Sequence, residues 1–531
     1  MTRRAGWLAL AVMAAAACAH GPAGPLAPLY DGLGEHHHPV TTRSPLAQRY
    51  FDQGLRLHYA FNHDEAVRSF REAARLDPDC AMAYWGQALA LGGNLNAYPQ
   101  SEGERRQAWQ ALTEARTRAH HASAAERAYI EALGARYADP PPADRKPADR
   151  AYAEAMRVLA RVHLDDLDAQ VLEAEALAFL VVPTLGAWSN DGQPAAETSE
   201  AIAVLESVLA RAPDHPGANH YYIHLVEGSP HPERALQAAD RISRLMPAAG
   251  HILHMPSHIY LRVGRYGDAI DANLRAIAVD DAYLQHNHPG HFYPTFAAHN
   301  VWVLWYAALM AGASAQAQAA ARELERRADS APMHEEAARA KLKTLVRFGR
   351  WDQVLAEPAP ASERSELAAA WHYARALALA ARGRLDQADQ ERAQLARRAA
   401  AAEGSSRALL QIASNHAAGS TAARRGRLDE AIGRLRAAVE AEDGLNRNVE
   451  PPQWSQPLRP ALGALLFEAG RASEAEAVYR EDLLRNPENG WALHGLLQCL
   501  RARRAAAEAA QVEARFRKAW SRADVTLSGS P

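Results

Sequence analysis

The stretch AGHILHMPSHIY, residues 249–260, places His251, His254 and His258 at spacings of three and four. A helix brings such spacings onto one face. Three imidazoles on one face could share a metal ion, touch a partner or fill a core. Upstream, GANHYYIHLVE (217–227) sets His220, His224 and Glu227 at i, i+4 and i+7. Neutral imidazole is the commonest metal ligand, and sets of several histidines suit zinc, copper or iron. His220, His224 and Glu227 could thus form a two-histidine, one-carboxylate face, and His251, His254 and His258 a three-histidine face opposite. Residues 215–299, which include His299, hold eleven of the 24 histidines in under a fifth of the chain.

Two such faces can meet only if neighbouring elements hold them, and the chain has a repeat that could do so. In YFDQGLRLHYAFNHDEAVRSFREAARLDP, Tyr50, Gly54, Ala66, Phe70, Ala73 and Pro78 stand where the 34-residue tetratricopeptide (TPR) motif wants an aromatic, Gly, Ala, an aromatic, Ala and Pro. Small residues let two antiparallel helices approach closely, and the proline ends the second helix. With Ala66 as anchor, the pattern resumes at Ala201, Ala235 and Ala269, 34 residues apart, then at Ala317, Ala388, Ala431 and Ala475, with Val354 a weaker member. About nine repeats with loop insertions result. The resemblance implies an all-α, TPR-type α-solenoid, a right-handed superhelix of antiparallel helix pairs.

TPR proteins line a concave groove with positions 2, 5, 9, 12 and 13 of the first helix. By that resemblance His220, His224 and Glu227 face the groove from one repeat, His251, His254 and His258 from the next, and His299 from the one after. Neighbouring helix axes lie about 8–10 Å apart, so these side chains could share one ion or a close pair. Six histidines over two ions would resemble a coupled binuclear copper arrangement. Arg262, at position 13, could bind an anionic group of a ligand or partner. The plainer reading of a histidine pair at i, i+4 is a hydrogen-bonded or surface pair. The flanking residues of the two copies differ, so duplication alone does not account for them. Pro256 disturbs a regular helix between His254 and His258; a helix starting near Met255 would bring His251 and His254 to the groove from a turn.

Other histidines are less constrained. His36, His37 and His38 (EHHHP) sit in a Pro- and Gly-rich stretch, 19–45, that reads as a linker or loosely attached, solvent-exposed arm. His286, His288 and His291 fall in an insertion near 281–295 and could cover the groove. Insertions at 138–150, 183–197 and 442–454 read as loops. Trp302 and Trp305 lie in an apolar helix and are expected between helices.

At 531 residues the chain exceeds one compact core. The reading divides it into helical repeats with insertions at 46–198, histidine-rich repeats at 199–330 and further TPR repeats at 331–531. Acidic residues (62) balance basic ones (59), and no basic stretch is interleaved with aromatics, so nucleic acid is not an expected partner. No phosphate loop, GxSxG elbow, HExxH pair or flavin motif is found. Arg3 and Arg4 precede an apolar run, Trp7–Ala17, and small residues surround Cys18. Residues 1–18 read as an export signal. Cleavage after Ala19 or acylation of Cys18 both fit, placing the chain in the periplasm or cell envelope, with membrane contact only through a lipid anchor. Cys80 and Cys499 remain, as buried unpaired thiols.

Residues 215–269, from HPGANHYY to GRYGDA, also resemble the StaR-like TPR family, and the likeness covers most of 45–310. That family implies a TPR solenoid with a poorly defined biochemical role. The combined expectation is an exported solenoid with a histidine-rich site for copper, iron or zinc, as a metalloenzyme of oxidative or hydrolytic type. The alternative is a non-enzymatic scaffold holding a peptide, protein or small-molecule ligand in its groove. Mass spectrometry of the native N-terminus tests the export reading. A chain starting at His20 or at a diacylglyceryl Cys18 is expected; an intact Met1 in cells refutes it.

Overall fold

The nine anchors Ala66, Ala201, Ala235, Ala269, Ala317, Val354, Ala388, Ala431 and Ala475 all have no solvent exposure. Each lies near the start of the second helix of an antiparallel pair. The computed structural model describes residues 24–527 except 97–99, 183–185, 288–291, 363–365 and 446–448. Among the described residues there is no strand, only one isolated bridge between Trp188 and Pro194. No helix among them is long and apolar enough to cross a membrane. The export signal and Cys18 lie outside the described residues. Cys80 and Cys499 are buried free thiols.

Three helix pairs join the nine read from the sequence: Ala81–Ala90 with Glu102–Thr117, Ala124–Gly134 with Lys146–Val162, and Gly490–Ala502 with Ala506–Ala519. Long connections separate the helices of the first two pairs and break the 34-residue register. The third carries Arg504, at φ 60°, where other repeats have a turn glycine. The insertion near 281–295 is not a loop throughout, because its first residues extend the helix Tyr266–His286. His288 and His291 lie outside the described residues. His286 is exposed, its Nδ1 2.9 Å from the Ala282 carbonyl.

A ring between two glycines stitches successive first helices together. A Cβ at Gly54 would lie 2.7 Å from the Phe70 ring, and one at Gly86 would lie 2.4 Å from it. The device recurs with Tyr479 between Gly463 (2.6 Å) and Gly495 (2.1 Å). The solenoid is wound tightly enough that distant repeats touch. The first helix, Pro45–Tyr59, reaches the helix Pro216–Val226. At the other end Tyr266 donates to the Pro487 carbonyl (3.0 Å), and the Ser314 and Ala315 amides donate to Asp524 (2.7 Å each). The central repeats are therefore covered from both ends of the chain.

The stretch read as a loose, exposed arm is packed over its described part, 24–44. Ala27 and Leu33 are buried, and Tyr50 donates to the Ala27 carbonyl. His36 Nε2 lies 2.9 Å from Asp168 Oδ1, and His38 Nδ1 2.9 Å from Asp168 Oδ2. Only His37, beside Asp52, stays largely exposed. Tyr59 donates to the same Asp168 carboxylate (2.6 Å). Though burial opposes its charge, Asp168 is held well below the usual carboxylate range by hydrogen bonds from His215, His36 and His38. His38 is raised: burial opposes its charge, but its bond to Asp168 outweighs that.

Gly54→Ala should destabilise the fold by about 1–3 kcal/mol through overpacking, with part recovered in Gly54→Ala/Phe70→Leu. Thermal melts of the three chains check this; an unshifted Gly54→Ala curve contradicts the stitch. Asp168→Ala strands the His36, His38 and Tyr59 donors and should release the arm, read as faster hydrogen exchange over 24–44. In the wild type the His38 contribution is complete below about pH 6.5 and fades as pH rises through the raised His38 pKa. Arm protection should accordingly weaken towards alkaline pH, which exchange at two pH values tests.

Candidate metal centre

Four helical elements deliver the histidines. The helix Pro216–Val226 carries His220 and His224, with Glu227 as its C-cap. Pro256 splits the next first helix into Gly250–His254 and Pro256–Arg262. His251 and His254 thus approach from a separate helical turn, not from an irregular turn before a helix starting near Met255. His258 follows from the second piece, and Phe292–Met310 supplies His299. Gly250 lets this turn sit close to its neighbour: a Cβ there would lie 1.8 Å from Asp280 Oδ1.

All seven ligand candidates converge. Ring nitrogens of His220, His224 and His251 lie within 4.8 Å of one another, as do ligand atoms of His254, His258, His299 and Glu450. His224, Glu227 and His258 form a third group that joins these two. His220 and His254 have no solvent exposure, and His224, His251 and His258 are buried. Arg262 is half-buried at the end of its helix, one turn beyond His258, and its charge acts on Tyr306. Trp305 packs in the core as expected, with Trp302 partly buried against it.

The outer ring nitrogens are committed to protein acceptors. His220 Nδ1 lies 2.6 Å from the Tyr59 carbonyl, and His254 Nδ1 2.8 Å from Asn273 Oδ1. The Asn273 amide donates to the Ala269 carbonyl (2.8 Å), which turns its oxygen to His254. His258 Nδ1 bonds Glu227 and lies 2.6 Å from Glu450 Oε2, while His224 Nδ1 faces Glu227 Oε1 at 3.5 Å. Such outer acceptors accompany metal-binding histidines, because they fix the tautomer and leave the Nε2 lone pair facing inward.

On the inward side the rings meet one another. His254 and His258 Nε2 are 3.0 Å apart, and His220 and His251 Nε2 3.1 Å. His224 Nε2, His251 Nδ1 and both Glu450 oxygens are buried without an aligned hydrogen-bond partner. In a tetrahedral site with bonds of about 2.0–2.1 Å, ligand nitrogens sit about 3.3 Å apart, close to these separations. Burial pushes His220, His251 and His254 well below the usual histidine pKa, and lowers His224 and His299 as well. Neutral rings with available lone pairs follow. His258 differs: burial opposes its charge, but Glu227 and Glu450 outweigh this and hold it up at about 10.

Several contributors escaped the sequence reading. Glu450 belongs to the 442–454 insertion and is distant along the chain from every histidine of the set. The Tyr59 carbonyl arrives from the first repeat. Phe61, whose ring lies 4.4 Å from that of His220, 5.6 Å from that of His224 and 5.1 Å from that of His251, carried a usable signal. Five residues before the anchor, later repeats have Gly264, Gly312, Gly349, Gly383, Gly426 and Gly470, all at positive φ. Phe61 takes that left-handed conformation at φ 57°, which is uncommon for a bulky side chain. The arm cluster of His36, His215 and Asp168 also has ligand-like spacing. There, however, His215 Nδ1 accepts from the Ala218 amide (3.3 Å), so its Nε2 carries the proton and lies 3.3 Å from Asp168 Oδ1 without an aligned hydrogen bond. That cluster is a hydrogen-bonded clamp.

No family model matches the chain, and no curated protein matches it. Solved structures with similar folds include the TPR domain of P58(IPK) (13% identity, TM-score 0.23, covering 87% of this chain and 99% of that one). Human IFIT1, solved as a dimer with m7Gppp-AAAA, gives 12% identity and TM-score 0.33 over 82% of this chain and 90% of that one. Yeast Tom70 gives 13% and 0.29 over 89% and 90%. The TPR-type fold rests on the chain's own helix pairs and buried anchors, and no match supports the StaR-like family in particular.

Proposed function

We propose that the central repeats hold a close pair of transition-metal ions, one at His220, His224 and His251 and one at His254, His258, His299 and Glu450, with Glu227 between them. The observation that carries this is the buried, unpartnered Nε2 of His224, converging with the ring nitrogens of His220 and His251. A buried acceptor without a donor costs about 1–3 kcal/mol, and a cation removes that cost for the whole set. The soft-to-borderline, nitrogen-rich donors suit copper, iron or zinc over magnesium or calcium. Ions so held supply Lewis acidity and, for copper or iron, redox chemistry. We read the protein as an exported metalloenzyme of oxidative or hydrolytic type. The second reading, a scaffold gripping a peptide, finds less support at this site, because the imidazoles are too deeply buried for a peptide to touch.

Metal-stripped protein should take up about two equivalents of copper, iron or zinc, read by elemental analysis of a chain purified without a histidine tag. His224→Ala and His258→Ala should each lose most bound metal, whereas His286→Ala should retain it. Metal bound only by the folded state adds about 4 kcal/mol at about a thousandfold excess over Kd. Chelation should therefore lower the wild-type Tm and barely move that of His224→Ala. Equal sub-stoichiometric metal in all chains, with identical melts, would overturn the proposal.

A further inference from the structure

The C-terminal repeats carry a cleft of about 900 Å³ that the metal centre does not use. It lies among the helices Ala331–Arg347, Glu366–Ala381, Leu385–Ala401 and Gly404–Arg424, with residues 453–456 over it. Its volume is that of a small-molecule site. Leu342, Val346, Leu410, Ala369 and Ala413 make its walls apolar. The charged groups are one-sided: Arg339, Lys343, Arg397 and Arg398 against the single carboxylate of Glu366. Glu366 is already taken up by Arg339.

Two of the cations are open to a guest. Among the described residues neither Lys343 nor Arg397 has a carboxylate within ion-pairing distance. Lys343 lies 5.9 Å from the centroid of the Trp305 ring, and burial pulls its ammonium down to about 8. An ammonium in that position gains from a paired anion. Trp454, also on the cleft wall, has a buried indole N–H with no acceptor. An apolar chamber with unpaired cations and a spare donor is complementary to a molecule of opposite make-up.

We propose that this cleft binds an anionic amphiphile, whose carboxylate or phosphate head meets Lys343 and Arg397 and whose apolar body lies against Leu342, Val346 and Leu410. The Trp454 N–H supplies a further hydrogen bond to a head-group oxygen. The site stands apart from the metal reading, since it uses none of the histidines or Glu450.

Calorimetry on the full chain in chelator tests it, with dodecanoate, dodecyl phosphate, dodecanol and acetate as probes. At least one of the two charged twelve-carbon probes should bind one-to-one, and the comparison between them identifies the head group. Dodecanol should bind at least about tenfold more weakly, and acetate not measurably, because one desolvated ion pair is worth about that factor. Lys343→Met should weaken the anion about tenfold and leave dodecanol unchanged. Ala370→Trp, placing an indole in a half-open part of the cleft, should abolish binding while circular dichroism stays native. Equal affinity for dodecanol and the anions, no binding of either anion, or an unaltered Lys343→Met would each overturn the proposal.

Discussion

Six imidazoles and two carboxylates meet at the middle of the solenoid, almost out of reach of water, and each polar atom there must find a partner. Buried polar groups in folded proteins are nearly always hydrogen-bonded. Here the rule holds for most ring nitrogens, including two facing Nε2 pairs, and fails at His224 Nε2 and His251 Nδ1. The Nδ1 sides of His220, His254 and His258 face a carbonyl, an amide oxygen and carboxylates. The inner sides face one another. One proton serves each facing pair, and the nitrogens left without a partner are His224 Nε2 and His251 Nδ1.

This constraint depends on how tightly the repeats wind. A single TPR groove is open to solvent along its length, and histidines on it would be half wet. Here the first pair curls round until the Tyr59 carbonyl reaches His220, and Phe61 lays its ring over three imidazoles. The left-handed conformation of Phe61 costs about 1–2 kcal/mol, where six later repeats place glycine. The chain accepts that cost at the one turn whose side chain shields the cluster. From the other side, the 442–454 insertion brings Glu450. Close packing of the first helices, fixed by glycines on both faces of Phe70 and Tyr479, keeps the elements in step over such distances.

What the sequence made legible follows from periodicity. The register of Ala66, Ala201, Ala235 and Ala269 places His220 and His254, and His224 and His258, at equal positions of consecutive helices, so their meeting could be read from spacing alone. Glu450 could not. It sits in a stretch with loop composition, some 190 residues beyond His258 in the sequence, and only the superhelical path brings them together. The arm was misjudged for a related reason: EHHHP has the composition of an exposed tract, and the Asp168 that holds it down lies 130 and 132 residues away. Pro256 was read correctly as an interruption. The helical turn that survives before it depends on Gly250 and its close contact with Asp280, which no local pattern announces.

The two histidine clusters show why spacing alone does not define a metal site. Around Asp168 the histidines present protons to one carboxylate, and the ring nitrogen of His215 that would have to stay free for a metal carries a hydrogen. In the central cluster Glu227 and Glu450 face His258 Nδ1, and Glu450 also lies within 4.8 Å of ring nitrogens of His254 and His299. Glu227, pulled well below its usual range because His258 offsets its burial, and Glu450 together bring two negative charges, against one proton on His258. The interior is left with lone pairs, a net negative surround and low dielectric, in which a nearby cation gains more than it would in water.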